Sequence, residues 1–191
     1  MAGRQAKILT EINYNDLLVF AATTRYPLRN RLIVGLSAKA GLRAGESANL
    51  TWDMVLNPAG DVGAVIELRD RAAKKRSGRL IPIHPNLRDD LVGWRQISKP
   101  TGPLIISERG GAMTPVSIVN WFASAYRAIG VRGCSSHSGR RTFITRAARL
   151  IHRVGGSLRD VQLLAGHRSI QTTQRYIDGD TDAQRRLVAM I

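Results

Sequence analysis

The apolar positions along the chain change period several times, and each change marks an element. Tyr14 to Thr23 reads as a short amphipathic helix with Asn13 or Asn15 as its cap. From Arg29 to Ala40, Leu32, Ile33, Leu36 and Ala40 recur at helical spacing, and Gly41 follows where a helix end favours glycine. Trp52 to Leu56 reads as a short strand. Val62 to Leu68 and Arg79 to Ile83 are β-branched or apolar runs flanking a polar, basic stretch, Arg69 to Gly78; together they predict a hairpin with a long loop. Pro85 opens a helix running to Trp94, and Thr114-Pro115 opens another through Trp121 and Phe122 to Ile129. Pro100, Gly102 and Pro103 make the loop between them. Ser138 to Leu150 and Leu158 to Leu164 are helical, with Gly155-Gly156 breaking the chain between them. A short helix spans Thr172 to Ile177, and a last one, Asp182 to Ala189, follows the turn Asp178-Gly179-Asp180.

These elements predict an α+β fold, mainly helical, with a small antiparallel β-sheet. No repeat, low-complexity tract or Pro- or Gly-rich linker divides the sequence, so residues 1–191 are expected to form a single domain. No apolar run approaches the roughly 20 residues that span a bilayer. Met1 to Thr10 lacks a signal-peptide segment. A cytoplasmic or nucleoid-associated location, with no membrane partner, is the expectation. The single cysteine, Cys134, excludes an intramolecular disulfide and a cysteine-based metal cluster.

Charge changes the picture. Lys and Arg number 29 against 14 Asp and Glu, a formal net charge of +15. Such a balance points to a polyanionic partner, most often nucleic acid, with the ribosome or an anionic membrane surface as alternatives. The charge is spread along folded-looking sequence, which favours a basic face over a basic arm.

Four segments carry the candidate chemistry. The first is Gly41-Leu42-Arg43-Ala44-Gly45-Glu46, directly after a helix. The second is the hairpin loop Lys74-Lys75-Arg76-Ser77-Gly78-Arg79. The third is His137-Ser138-Gly139-Arg140. The fourth is Leu164-Ala165-Gly166-His167, followed by Tyr176 within Thr172-Thr173-Gln174-Arg175-Tyr176. In this order the set resembles the tyrosine recombinases of the phage-integrase family, over roughly Ile8 to Ile177. The resemblance matches Arg43 and Glu46 to the family's Gly-Leu-Arg-x-x-Glu segment. It matches Lys74, counted back from Pro82, to the family's hairpin lysine, with Lys75 the competing choice. His137 and Arg140 match its His-x-x-Arg motif, and His167 and Tyr176 its Gly-His and nucleophilic tyrosine. It implies the DNA breaking–rejoining fold, with Arg43, Lys74, His137, Arg140, His167 and Tyr176 as catalytic residues and with no cofactor or metal.

The residue types suit that chemistry. Attack on a DNA phosphodiester concentrates negative charge on two non-bridging oxygens, and planar guanidinium forks such as Arg43 and Arg140 match them. His137 and Arg140, three apart on a helix, share a face, and Ser135 or Ser136 is expected to cap that helix. His167 is expected to donate a third hydrogen bond. A free phenol costs roughly 4 kcal/mol to ionise at pH 7, which neighbouring Arg and His offset. Lys74, on a mobile loop, suits a general acid for the leaving 5′-oxygen.

Other expectations are structural. Glu46 pairs with an arginine to orient it, and Arg141 is structural or touches phosphate. His84 and His152 are structural or solvent-facing. Cys134 is a small buried residue, and Trp52, Trp94, Trp121, Phe122 and Phe143 fill the core.

Departures from the family pattern are Gly45 for a frequent Ser and Ser138-Gly139 for a common Asp-Leu. The resemblance divides the domain into a catalytic core, 8–177, and a tail, 178–191, that in the family often docks on a neighbouring protomer, with packing on its own domain as the alternative. It also implies duplex DNA as partner, a tetramer on DNA and accessory DNA-bending proteins. The N-terminal core-binding domain of the family is expected to be absent. Two other functions compete: relaxation of DNA in the manner of a type IB topoisomerase, and a DNA-binding accessory protein without turnover.

Overall fold

The computed structural model describes residues 6–74, 77–177, 185 and 188–191. Helix α1, Glu11–Ala22, begins earlier than the apolar pattern suggests. Its cap is Thr10, whose hydroxyl accepts from Asn13 N–H at 3.1 Å, so Asn13 lies inside the first turn. Helix α2, Pro27–Lys39, is buried continuously from Leu32 to Ser37. Its middle, Leu32 to Leu36, is apolar on every side, as a helix segment inside the molecule must be. It packs against α1, α4 (Pro85–Ile97) and α6 (Ser138–Leu150). Gly41 follows α2 with φ +64°, as expected beyond a helix end.

The short α3, Ala44–Ala48, leads to Trp52–Met54, which is a 3₁₀ turn and not a strand. Thr51 hydrogen-bonds Asp53 two residues on, and such local side-chain bonds compete with a strand ladder. Only bridges survive there, Thr51 to Pro103 and Leu56 to Val62. Strands β1, Val65–Leu68, and β2, Arg79–Pro82, form the expected antiparallel hairpin, with Val65 opposite Pro82 and Leu68 opposite Arg79. Ile66, Leu68 and Ile81 are buried, while Glu67 and Leu80 face outward, the period of a half-buried sheet.

Helix α5, Pro115–Ala128, is capped by Thr114 and completes the main core with Ile118, Phe122 and Ala125. Helices α6 and α7 (Leu158–Ala165), with Tyr176 and Ile177 just beyond α8 (Ile170–Gln174), enclose a second, smaller core of Ile144, Ala148, Val161 and Ala165. Two of those four are alanines. At about 25 cal/mol per Å² of buried apolar surface, this layer is stabilised less than the main core. Trp52, Trp94 and Phe122 are buried as expected, whereas Trp121, Phe143 and Cys134 are only partly so. The predicted last helix, Asp182 to Ala189, lies mostly outside the described residues, as do Lys75 and Arg76.

Two local features bring α6 to its place. A Cβ on Gly139 would meet Ser37 Oγ and Cβ on α2, so glycine permits the close approach of the two helices. The segment before α1 also straps onto α6: Leu9 N–H donates to Thr142 Oγ1 at 2.7 Å, and Arg141 donates to the Ala6 carbonyl at 3.1 Å.

Candidate active site

Arg43 stands at the N-cap of α3, and Glu46 holds it from both ends. The Arg43 backbone N–H donates to Glu46 Oε2 at 3.0 Å and its guanidinium to Oε1 at 2.8 Å. The carboxylate is buried, and it also receives Arg79 from β2, at 3.2 and 3.1 Å. Burial alone would raise the Glu46 pKa. Hydrogen bonds and charge from Arg79, then from Arg43, outweigh it and hold the group at about 2. Arg79 extends the network, donating from Nε to the Leu164 carbonyl at 2.8 Å.

That carbonyl is one of the free acceptors at the C-terminal end of α7, where cations are favoured. Arg140 takes the next one, donating to Ala165 O at 2.6 Å, and also donates to Gly41 O. Its guanidinium further contacts His167 Nε2 at 3.1 Å. Burial, then the charge of Arg43, lower the Arg140 pKa to about 10, which leaves it a cation at neutral pH. His137 stands at the N-cap position of α6, the helix that carries Arg140, and is exposed, its N–H donating to Ser135 Oγ at 3.3 Å. No side-chain bond of the standard capping type is made there, although Ser138 Oγ accepts from Ser135 N–H at 3.0 Å. Burial, then Arg140, Arg43 and Lys74, push the His137 pKa down.

Gly166, with φ +63°, ends α7 and turns the chain so that His167 points inward. A side chain there would also strike the Arg79 guanidinium. His167 N–H donates to Gln162 O at 3.1 Å, and the Gln162 amide donates back to His167 O at 2.9 Å. The ring is buried, lies 2.9 Å from Thr173 Oγ1 through Nδ1, and stacks on Tyr176 with centroids 5.5 Å apart. Burial, then Arg140, Arg43 and Arg79, lower its pKa to about 4. The sequence expectation gives His167 a hydrogen-bond donor for phosphate. In this structure its Nδ1 and Nε2 are engaged with Thr173 and Arg140. Tyr176 is half-buried, its N–H bonded to Thr173 O at 3.0 Å and its carbonyl to Thr145 Oγ1 at 3.4 Å.

Arg43, His137, Arg140, His167 and Tyr176 line one open cleft of about 490 Å³, joined by Ser135, Arg141, Thr172 and Arg175. Lys74 is exposed and lines an adjoining hollow of about 250 Å³ that shares Arg43, His167 and Thr172 with the cleft. Five of the six predicted residues therefore converge, and the sixth stands at the cleft's edge. Arg79, Thr172, Thr173 and Arg175 lie in the motif segments, but the sequence gives them no role in the site. The first had a signal: two residues before buried Ile81 on a strand, Arg79 shares its face. Among the described residues, no group of three or more His, Cys, Asp or Glu side chains converges as a metal site. No described helix is long and apolar enough to cross a membrane.

Mainly helical, with one hairpin and an arginine- and histidine-lined cleft facing a tyrosine, the molecule has the architecture of a tyrosine recombinase catalytic domain. The family profile described as the phage integrase family matches residues 7–182, and the chain belongs to that family. It is 29% identical over 154 residues to a tyrosine recombinase XerC of Methylobacterium nodulans, covering 80% of this chain and 46% of that protein. The chain thus spans about half the length of the curated relatives it matches. In fold it is similar to the crystal structure of XerA recombinase, with a TM-score of 0.74, 22% identity, and coverage of 100% of this chain and 65% of that one. It is also similar to the Tn1549 transposon integrase in complex with a circular intermediate DNA, with a TM-score of 0.75, 20% identity, and coverage of 100% and 67%.

Proposed function

We propose that this chain is the catalytic domain of a site-specific DNA recombinase, which cleaves and rejoins duplex DNA through Tyr176. The observation that carries the reading is the convergence of Arg43, His137, Arg140 and His167 beside Tyr176 in one cleft of a chain with net charge +15. Arg43 and Arg140 bind the two non-bridging oxygens of the scissile phosphate as the charge on them grows. Tyr176 Oη attacks phosphorus and forms a 3′-phosphotyrosyl ester, while the bond from phosphorus to the 5′-oxygen breaks. The phenol proton passes to His137, which the surrounding cations and burial keep neutral at pH 7. Lys74, at the cleft's edge, gives a proton to the departing 5′-oxygen. Each step exchanges one phosphate ester for another, so the reverse reaction rejoins the strand without ATP.

The context we assign is integration or excision of a mobile element, in the cytoplasm at the nucleoid. The relatives named as recombinases and the integrase solved with circular intermediate DNA support it. Strand exchange between two duplexes needs four protomers, with accessory DNA-bending proteins where sites are far apart. Residues 8–177 form the core of the reaction, and the tail docks on a neighbour. Val188, Met190 and Ile191 of that tail are exposed and apolar, and an open groove of about 660 Å³ between β2 and α7 presents exposed Leu80 and Leu163.

The test is a nicked suicide duplex carrying the element's end sequence. Wild type forms a covalent protein–DNA adduct, and Tyr176→Phe forms none while still binding DNA. An adduct that survives the substitution sinks the nucleophile assignment. Relaxation of supercoiled plasmid without strand exchange favours the topoisomerase-like alternative, and DNA binding without any adduct favours the accessory protein.

A further inference from the structure

We propose that Thr173 is a positioning residue of the cleft: its buried hydroxyl takes the Nδ1 proton of His167, which leaves Nε2 bare toward Arg140 and holds the ring against Tyr176. The inference rests on the reading of the cleft as a phosphodiester site.

The geometry fixes the proton. A guanidinium has donors only. The 3.1 Å contact between Arg140 and His167 Nε2 therefore requires a lone pair on Nε2. A neutral imidazole then carries its one proton on Nδ1, and Thr173 Oγ1 lies 2.9 Å from that atom. The opposite tautomer would set an N–H against the guanidinium and forfeit the Arg140 bond. The environment keeps the ring neutral through burial and through Arg140, Arg43 and Arg79, against which only Glu46 pulls the other way.

Thr173 is fully buried, so no solvent competes for its hydroxyl. It sits on α8 three residues before Tyr176, and its carbonyl accepts the Tyr176 N–H at 3.0 Å. One residue is thus bonded by its side chain to the histidine and by its backbone to the tyrosine.

The test is ring-nitrogen NMR of the whole chain labelled with ¹⁵N-histidine, with His167 assigned through His167→Gln. At pH 7 the wild type is expected to show Nδ1 protonated and Nε2 bare. Thr173→Val, which removes the acceptor at similar size, is expected to mix the tautomers. It should slow adduct formation on the nicked duplex about tenfold while DNA affinity holds, the loss of one buried acceptor being on that scale. Thr173→Ser keeps the oxygen and is expected to restore both readouts. A protonated Nε2 in the wild type overturns the proposal, as does a Thr173→Val ring spectrum identical to wild type. Should the valine variant not fold, the wild-type and serine spectra still decide. A wild type that forms no adduct removes the recombinase reading, whereas the ring spectrum judges Thr173 independently of it.

Discussion

Glu46 shows how much one buried carboxylate organises. It binds Arg43 on its own helix and Arg79 across the fold, and both contacts hold groups around the cleft. Removing one partner of a buried ion pair leaves an uncompensated charge, which costs about 3–5 kcal/mol. Arg79→Met is accordingly expected to destabilise the chain by about 3 kcal/mol at pH 7. The pH dependence has a definite sign. The Glu46 pKa lies near 4.5 ordinarily and at about 2 in the fold, so the stability it contributes is complete above 4.5 and is lost as pH falls toward 2. The gap between wild type and Arg79→Met should narrow over that window. Urea titrations at pH 7, 4.5 and 3 measure it, and a gap that stays constant contradicts the network. The pairing of Glu46 with an arginine was legible from its place three residues after Arg43. The second arginine was not, because its approach depends on the hairpin folding back over α3.

At the scale of elements, the site depends on how closely α6 approaches α2. That approach passes through Gly139, where a Cβ would meet Ser37. Alanine gains about 1 kcal/mol over glycine in a helix interior, yet overpacking a tight interface costs about 1–3 kcal/mol. Gly139→Ala is expected to lower the melting temperature on balance and to slow adduct formation, because Arg140 is the next residue. Calorimetry beside the nicked-duplex assay checks both, and an unchanged melting temperature refutes the close contact. The departure of Ser138-Gly139 from the commoner Asp-Leu therefore has a packing reason in this chain. The helix bounds Ser138–Leu150 were legible from periodicity and match the structure. Trp52 to Leu56 was misjudged as a strand because a short apolar run carries no record of the Thr51–Asp53 contact that tightens it.

At the scale of the molecule, the net charge of +15 is a statement about partners. Each phosphate neutralised on duplex DNA releases counterions, so the logarithm of affinity falls linearly with the logarithm of salt concentration. Binding of this chain to duplex DNA is expected to lose on the order of a thousandfold between 50 and 200 mM salt. Fluorescence anisotropy across that range measures the slope, and a flat response contradicts a phosphate-dominated interface.

The sequence by itself determined the class of the molecule. Hydrophobic periodicity marked most of the helices and the hairpin, charge pointed to a polyanion, and ordered motifs named six candidate site residues. These signals are local, because each rests on residue type and spacing. Only the tertiary structure decided which of them meet, with five in one cleft and Lys74 at its edge. It alone showed Arg79 reaching from β2 to Glu46, and Thr173 and Arg140 gripping opposite nitrogens of His167. The physical reason is that a hydrogen bond between residues far apart in sequence exists only once packing has brought its donor and acceptor within reach.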